Sequence, residues 1–510
     1  MDENRTSEIP VGVGTRVKNR IGLAVLCLPA LLASLELTVT NLALPAIAAA
    51  FEATSVQLLW TVDIYGFLLA GSLITMGALG DRFGRRRILI IGAALYGLAS
   101  LAAAFAPTIE VLIVARACMG VAGATLMPST LALAAALFPQ PRQRAVAIGI
   151  IIASVSAGTA IGPLVGGWLL EKFWWGSAFF LAVPIMAVLL VLVPVFVPEH
   201  RSAGESRIDL FSAGVSIGSV LLVVLGLKLV ATEGIHLGAA AAVVAGLLLG
   251  TFFVWMQRRS PIPFLEVSLF RHRLLSIAAA TLAAGIFVLW GFNWAFAQYL
   301  QLVRGLDPLE AGLWTAPSAA GVIVGSMLAP RMARRIGQVS VVAIGLSISS
   351  IGYFALSAVQ TTTDLAWIVA GTVIVSAGLG PMMAIATDLV IGAAPEQRAG
   401  AAASIATTAP QLGGALGIAA LGSVVSAVYR TTVDGADLSA VPEALRAALR
   451  DNLGTATAVS AASPALDPAD ALELGRAAFT LGFSVMSVIC AVVMVAVTVL
   501  LLLTDRRRWR

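Results

Sequence analysis

Apolar runs of about 20 residues recur fourteen times along this chain, and that repetition constrains the fold more than any motif. As a helix, a run of that length crosses the ~30 Å hydrocarbon core of a bilayer. The runs fall near residues 21–43, 58–79, 88–106, 109–133, 145–170, 178–197, 208–230, 237–256, 274–301, 310–330, 339–358, 365–388, 400–428 and 477–503. The 510 residues are 59% hydrophobic and 12% charged, against roughly 25% charged in soluble domains, so a water-exposed surface cannot be covered. The expected fold class is an all-α membrane protein with fourteen transmembrane helices.

An even number of spans puts both termini on one side, and the basic residues say which. Of the 32 Lys and Arg residues, Arg116 and Lys228 lie within spans. Six (Lys172, Arg304, Arg430, Arg446, Arg450, Arg476) fall in loops on one side, and the other 24 on the opposite side. The rich side, with residues 16–20, 82–87, 258–273, 331–335 and 506–510, is cytoplasmic by the positive-inside rule. The basic balance therefore reflects topology and anionic lipid headgroups, and a nucleic-acid partner has no support. Residues 1–20 are polar and lead into a full-length span without a small-residue cleavage site, so the first span is expected to stay in the membrane.

Little here resembles catalytic chemistry. Cys27, Cys118 and Cys490 fall within spans, where apolar packing is the expected role. His200, His236 and His272 lie in loops or at span ends. The sequence contains no metal-ligand cluster, nucleophile triad or phosphate loop, so neither an enzyme nor a bound cofactor or metal is expected.

Charges inside spans are informative, because one near the bilayer centre costs at least ~2.5 to 3.5 kcal/mol. Glu36, Asp63 and Arg116 are each estimated to lie roughly 8 to 11 Å below the outer surface, at ~1.5 Å per residue. They are expected to share one site for proton coupling and cation binding, the carboxylates shifting between ionised and neutral forms with small movements. Asp388 near the inner end of span 12 is a further candidate, although it and Lys228 can also snorkel to water. Trp290, Phe292, Asn293, Trp294, Gln298 and Tyr299 in span 9 suit either an aromatic belt or a cation–π wall. With Asn41, Trp60, Tyr65 and Gln411, residues Trp290, Asn293, Trp294 and Gln298 form the candidate substrate cavity.

The fifth span reads GIIIASVSAGTAIGPLVGG from Gly149 to Gly167. Gly158, Gly162 and Gly166 recur every four residues, so they share one helix face and let a neighbouring backbone approach. Pro163 removes a backbone donor and bends the helix. After span 2 a turn reads GALGDRFGRRRIL (residues 77–89), and a weaker echo, APRMARRIG, follows span 10. The repetition implies paired halves: a tail at 1–20, a six-helix bundle at 21–200, two linking helices at 201–260, a second six-helix bundle at 261–503 with an outer loop at 431–475, and a basic tail at 504–510. Within that loop VPEALRAALRDNL suits a short surface helix.

These segments together resemble the fourteen-span drug:proton antiporters of the major facilitator superfamily, the branch with QacA-like and LfrA-like exporters. Gly149, Gly158, Gly162, Pro163, Gly166 and Gly167 match the antiporter signature of its fifth helix. Gly77, Leu79, Asp81, Arg82, Gly84, Arg85 and Arg86 match its cytoplasmic turn motif, Arg116 and Gly120 its span 4 motif. Leu35, Thr38, Val39, Asn41, Ala43, Leu44 and Pro45 resemble the span 1 motif, with Glu36 where relatives usually carry Asp. Some relatives have an acid in span 13 where Gln411 stands. The resemblance implies a bacterial plasma-membrane protein of two six-helix bundles plus two linking helices, which exports lipophilic cationic drugs in exchange for protons by alternating access. It also implies that Gly77, Asp81, Arg82, Gly84, Arg85 and Arg86 form a conformational latch. Rival readings are an exporter of one endogenous metabolite or antibiotic, and a proton-coupled nutrient importer. A membrane sensor would need an output domain that the chain lacks.

Overall fold

A computed structural model describes residues 13–199, 210–233, 236–260, 267–392, 399–439, 441–462 and 469–505. The expected tails lie partly outside these residues, as do His200 and residues 201–209. The described chain is built of helices: α1 (Val13–Phe51), α2 (Ser55–Phe83), α3 (Arg85–Ala104), α4 (Ile109–Gly123), α5 (Leu126–Leu137), α6 (Pro141–Lys172), α7 (Ser177–Phe180), α8 (Ala182–Phe196), α9 (Leu210–Glu233), α10 (Leu237–Arg259), α11 (Arg273–Gln298), α12 (Pro308–Ile336), α13 (Gln338–Leu356), α14 (Leu365–Gly392), α15 (Ala399–Asp434), α16 (Glu443–Asp451), α17 (Leu453–Ala462) and α18 (Ala469–Asp505). A π-helical turn at Tyr299–Val303 continues α11.

Among the described residues 12 helices are long and apolar enough to cross a membrane, and 13 if the two bent segments of α6 count as one span. The sequence leads to an expectation of fourteen. The seventh expected run lies on α9, a helix of 24 residues and so long enough for a crossing, within which Phe211–Gly226 counts as a shorter apolar stretch. The fourth run is one crossing made of two helices, α4 and α5. At the break the Thr125 hydroxyl donates to the Ala122 carbonyl at 2.7 Å, competing with the helical ladder.

Helix α1 packs on α6 and α8, and α3 on α4 and α8; in the second half α11 packs on α15, and α14 on α12 and α13. The halves meet where α6 lies against α12 and α2 against α15. Helices α9 and α10 pair with each other, and α9 also rests on α2 and α15.

The close approaches across this seam cluster at the ends of the helices away from the basic turn at residues 82–87. A Cβ on Gly167 would stand 2.5 Å from the Pro308 carbonyl, and one on Gly312 would strike the Pro163 carbonyl. The Gln301 amide donates to the Leu42 carbonyl at 3.0 Å. Farther out, α16 does form within the segment read as a surface helix, burying Leu445, Ala448 and Leu449. Next to it Asn452 donates to the Ala53 carbonyl at 2.9 Å, so the loop before α18 reaches the first half of the chain.

Candidate functional site

The site begins with α1. Residues spaced three apart share a helix face, whereas two apart lie about 200° round the axis. Thr38 and Asn41 therefore face one way and Glu36 nearly the other. Glu36 is 1% exposed and Arg116 not at all. The Arg116 Nη1 is paired with Glu36 Oε1, and its Nε donates to the Thr61 carbonyl of α2 at 2.9 Å. The other Glu36 oxygen accepts from the Tyr96 hydroxyl of α3 at 2.5 Å. The guanidinium lies over the Tyr65 ring, 4.4 Å from its centre, and 5.5 Å from that of Phe179. Four helices thus converge on one ion pair. A buried ion pair persists only when such hydrogen bonds offset its desolvation.

Asp63 is equally buried, two residues along α2 from Thr61. Asp388 does not join these groups, since it is exposed near the end of α14 at Gly392. A side chain near a helix end can snorkel toward the membrane interface.

On the opposite face of α1 a cavity lies between the halves. Thr38, Asn41, Thr159, Asn293, Thr315 and Ser376 supply hydroxyls and amides, and Phe292 and Phe296, stacked 5.6 Å apart, supply an aromatic wall. Its described lining residues are uncharged, and Glu36, Asp63 and Arg116 are not among them. The expected cavity is corrected accordingly. Asn41 and Asn293 line it. Tyr65 stacks on Arg116 instead, and Trp290 packs against Gly414 of α15. Trp294 and Gln298 line a second pocket. Trp60 and Gln411 are half-buried and line neither. Phe292 and Tyr299, read as belt or wall, both pack on Phe483, at 5.4 and 5.2 Å.

The glycines of α6 divide by partner. A Cβ at Gly158 would meet the Leu31 carbonyl, at Gly162 the Thr38 hydroxyl, and at Gly166 the Val39 side chain at 2.9 Å, all on α1. Gly167 and Pro163 face α12. Gly149 has nothing within 4 Å. The helix bends by 42° between Val146–Thr159 and Ile161–Lys172. Pro163 lacks the N–H that would bond to the Thr159 carbonyl four residues back, and its ring crowds that carbonyl.

In the basic turn Asp81 pairs with Arg85 at 2.6 Å. Gly84 links α2 to α3 at φ 109°, and a Cβ there would stand 2.7 Å from the Glu199 carboxyl. Glu199 accepts from the backbone N–H groups of Arg86 and Arg87 at 2.9 and 3.3 Å, capping α3 with a negative charge at its positive end. Arg86 also donates to the Val197 carbonyl at 3.2 Å, whereas Arg82 is exposed. Gly77 is open apart from Pro128, 3.9 Å from where its Cβ would be.

Tyr96, Phe296 and Glu199 are missed by the sequence reading. The hydroxyls on α12 and α14 left a usable signal, since Thr315 and Ser318 and likewise Thr372 and Ser376 recur at helical spacing in otherwise apolar spans.

This is the architecture of a helical membrane transporter, and residues 26–418 match the Major Facilitator Superfamily, to which the chain belongs. It is 38% identical over 495 residues to the multidrug efflux pump LfrA of Mycolicibacterium smegmatis, a match covering 97% of this chain and 98% of that protein. It is 34% identical to the methyl viologen resistance protein SmvA of Salmonella typhimurium, over 78% of this chain and 81% of that one. A bacterial homologue of the human lysosomal transporter Spinster, solved inward-facing and unoccupied, shares the fold with TM-score 0.67 at 18% identity, covering 96% of this chain and 97% of that one.

Proposed function

We propose that this transporter is a proton-driven exporter of lipophilic drugs, cations among them, belonging to the fourteen-span antiporter branch and working by alternating access between two six-helix bundles. The observation that carries the reading is the buried Glu36–Arg116 pair on α1, the helix whose other face lines the cavity. The efflux and resistance relatives support drugs as cargo, and methyl viologen, in the name of one of them, is a dication.

In this reading the basic turns and both termini face the cytoplasm of a bacterium, as the positive-inside rule asks. The seam is then closed on the outer side, and the cavity loads from the inner side or the inner leaflet. Glu36 accepts hydrogen bonds from Arg116 and Tyr96. Protonating it removes the charge that retains Arg116, and α1, seated on the smooth glycine face of α6, is free to shift. Proton and drug occupy opposite faces of α1, so they communicate through that helix and need not compete for one carboxylate. Asp63 is a second buried acid for the proton path. The cycle draws on the proton gradient with no bound cofactor, and the surrounding partners are membrane lipids.

Inverted membrane vesicles test this. Methyl viologen should accumulate when the interior is acid and stop when the pH gradient is collapsed, and Glu36→Gln should abolish the dependence. Accumulation indifferent to the gradient would refute proton coupling. The uncharged, hydroxyl-lined cavity also favours a second reading, an exporter of one oxygen-rich endogenous antibiotic, which a single accepted substrate in that assay would support.

A further inference from the structure

The linking pair α9 and α10 holds a groove of about 480 Å³, apart from the central cavity. Ser219 of α9 forms one wall. On α10, Leu247, Thr251, Val254, Trp255 and Arg258 recur every three or four residues and so share one helix face. Leu247 and Trp255 are 58% and 49% exposed, so the groove opens sideways from the molecule. The Ser219 hydroxyl donates to the Gly246 carbonyl and the Thr251 hydroxyl to the Leu248 carbonyl, both at 2.8 Å, which leaves the wall apolar along its length. Arg258 ends it. This side chain is exposed and has neither ion pair nor hydrogen bond among the described residues. Arg259 beside it lies over the Trp255 ring, 4.4 Å from its centre. Helix α10 contains no Asp or Glu, and exposed Arg271 follows in the 3-10 turn that packs on it.

We propose that this groove holds an anionic phospholipid of the inner leaflet, its phosphate on Arg258 and one acyl chain along the face from Trp255 to Leu247. Charge chooses the occupant, since a basic pocket between helices at the cytoplasmic end favours an anionic headgroup. A zwitterionic lipid would bring its own cation beside Arg258 and Arg259. Length fits as well: from Leu247 to Arg258 the helix rises about 16 Å, at ~1.5 Å per residue, which is one leaflet of a ~30 Å core. Trp255 then sits at the interface, where tryptophan is favoured. A soluble phosphate would satisfy Arg258 but leave the apolar wall bare. The proposal rests on the topology given above only for which leaflet supplies the lipid.

Native mass spectrometry of the purified full-length protein tests this, by titration with phosphatidylglycerol or with phosphatidylcholine of the same acyl chains and measurement of the Kd of the first lipid bound. Wild type should favour phosphatidylglycerol, and Arg258→Gln should reduce that preference about fivefold. Arg335→Gln, at an exposed basic residue in the last turn of α12, should leave it unchanged. Thr251→Phe fills the groove without altering charge and should weaken phosphatidylglycerol binding by a comparable factor. Glycerol phosphate, which has the anionic group and no acyl chain, should not compete. Wild type without the preference, equal losses from the two arginine variants, or undiminished binding by Thr251→Phe would each overturn the site. Methyl viologen accumulation in vesicles reports on the exporter reading independently, so the two failures are distinct.

Discussion

At the scale of single residues, Arg116 sets the demands. It meets Glu36 through Nη1 and the Thr61 carbonyl through Nε, while its plane covers Tyr65. A lysine has neither the fork nor the plane. Glu36→Gln leaves a buried guanidinium without its counter-charge, and removing one member of such a pair costs on the order of 3 to 5 kcal/mol. Thermal melting of purified protein should show Glu36→Gln well below wild type, and an unchanged melting temperature would mean that Arg116 repairs itself elsewhere. Tyr96→Phe removes a hydrogen bond to a charged group, worth about 1.5 to 3 kcal/mol, so its melt should fall between the two. The carboxylate and the arginine were legible in the sequence because charge inside an apolar run is expensive. Tyr96 was not. A tyrosine in a span reads as an interfacial aromatic, and nothing local sets it against a glutamate 60 residues earlier.

Among the elements, α6 shows how far a spacing rule reaches. The interval of four forecast one smooth face, and Gly158, Gly162 and Gly166 all rest on α1. The rule does not weigh the glycines singly. Gly162→Ala drives a methyl group into Thr38, and overpacking of this kind costs about 1 to 3 kcal/mol, whereas Gly149→Ala meets nothing within 4 Å. Efflux by cells expressing equal amounts of the two variants should be lost for the first and kept for the second. Equal activity would make the face incidental. Gly84→Ala combines a positive φ with a collision at Glu199 and should lower the melting temperature. The break between α4 and α5 escaped the sequence reading because a serine or threonine in a span most often bonds back without ending the helix. The reach of Asn452 to Ala53 escaped it because 399 residues separate them, and no periodicity encodes such a contact.

Over the whole molecule, the sequence placed Glu36, Asp63 and Arg116 at a similar depth, which invites one shared site. Depth is a single coordinate, however, and the direction each residue faces round its helix is another. That second coordinate puts Glu36 behind α1 and Asn41 in front of it. If the proposed coupling runs through α1, Asn41→Ala should raise the drug KM while leaving the pH profile of efflux in place, and Glu36→Gln should flatten the profile. Parallel effects of both on the profile would merge the sites again. The same arrangement bears on how such a protein diversifies. At Gly158, Gly162 and Gly166, where α6 meets α1, an added carbon collides, so substitution there is costly. Much of the cavity wall is threonine, serine, asparagine and alanine, and single-nucleotide changes link threonine to each of the other three. A population under a new toxin can therefore revise what the transporter accepts one codon at a time while its moving parts are inherited unaltered.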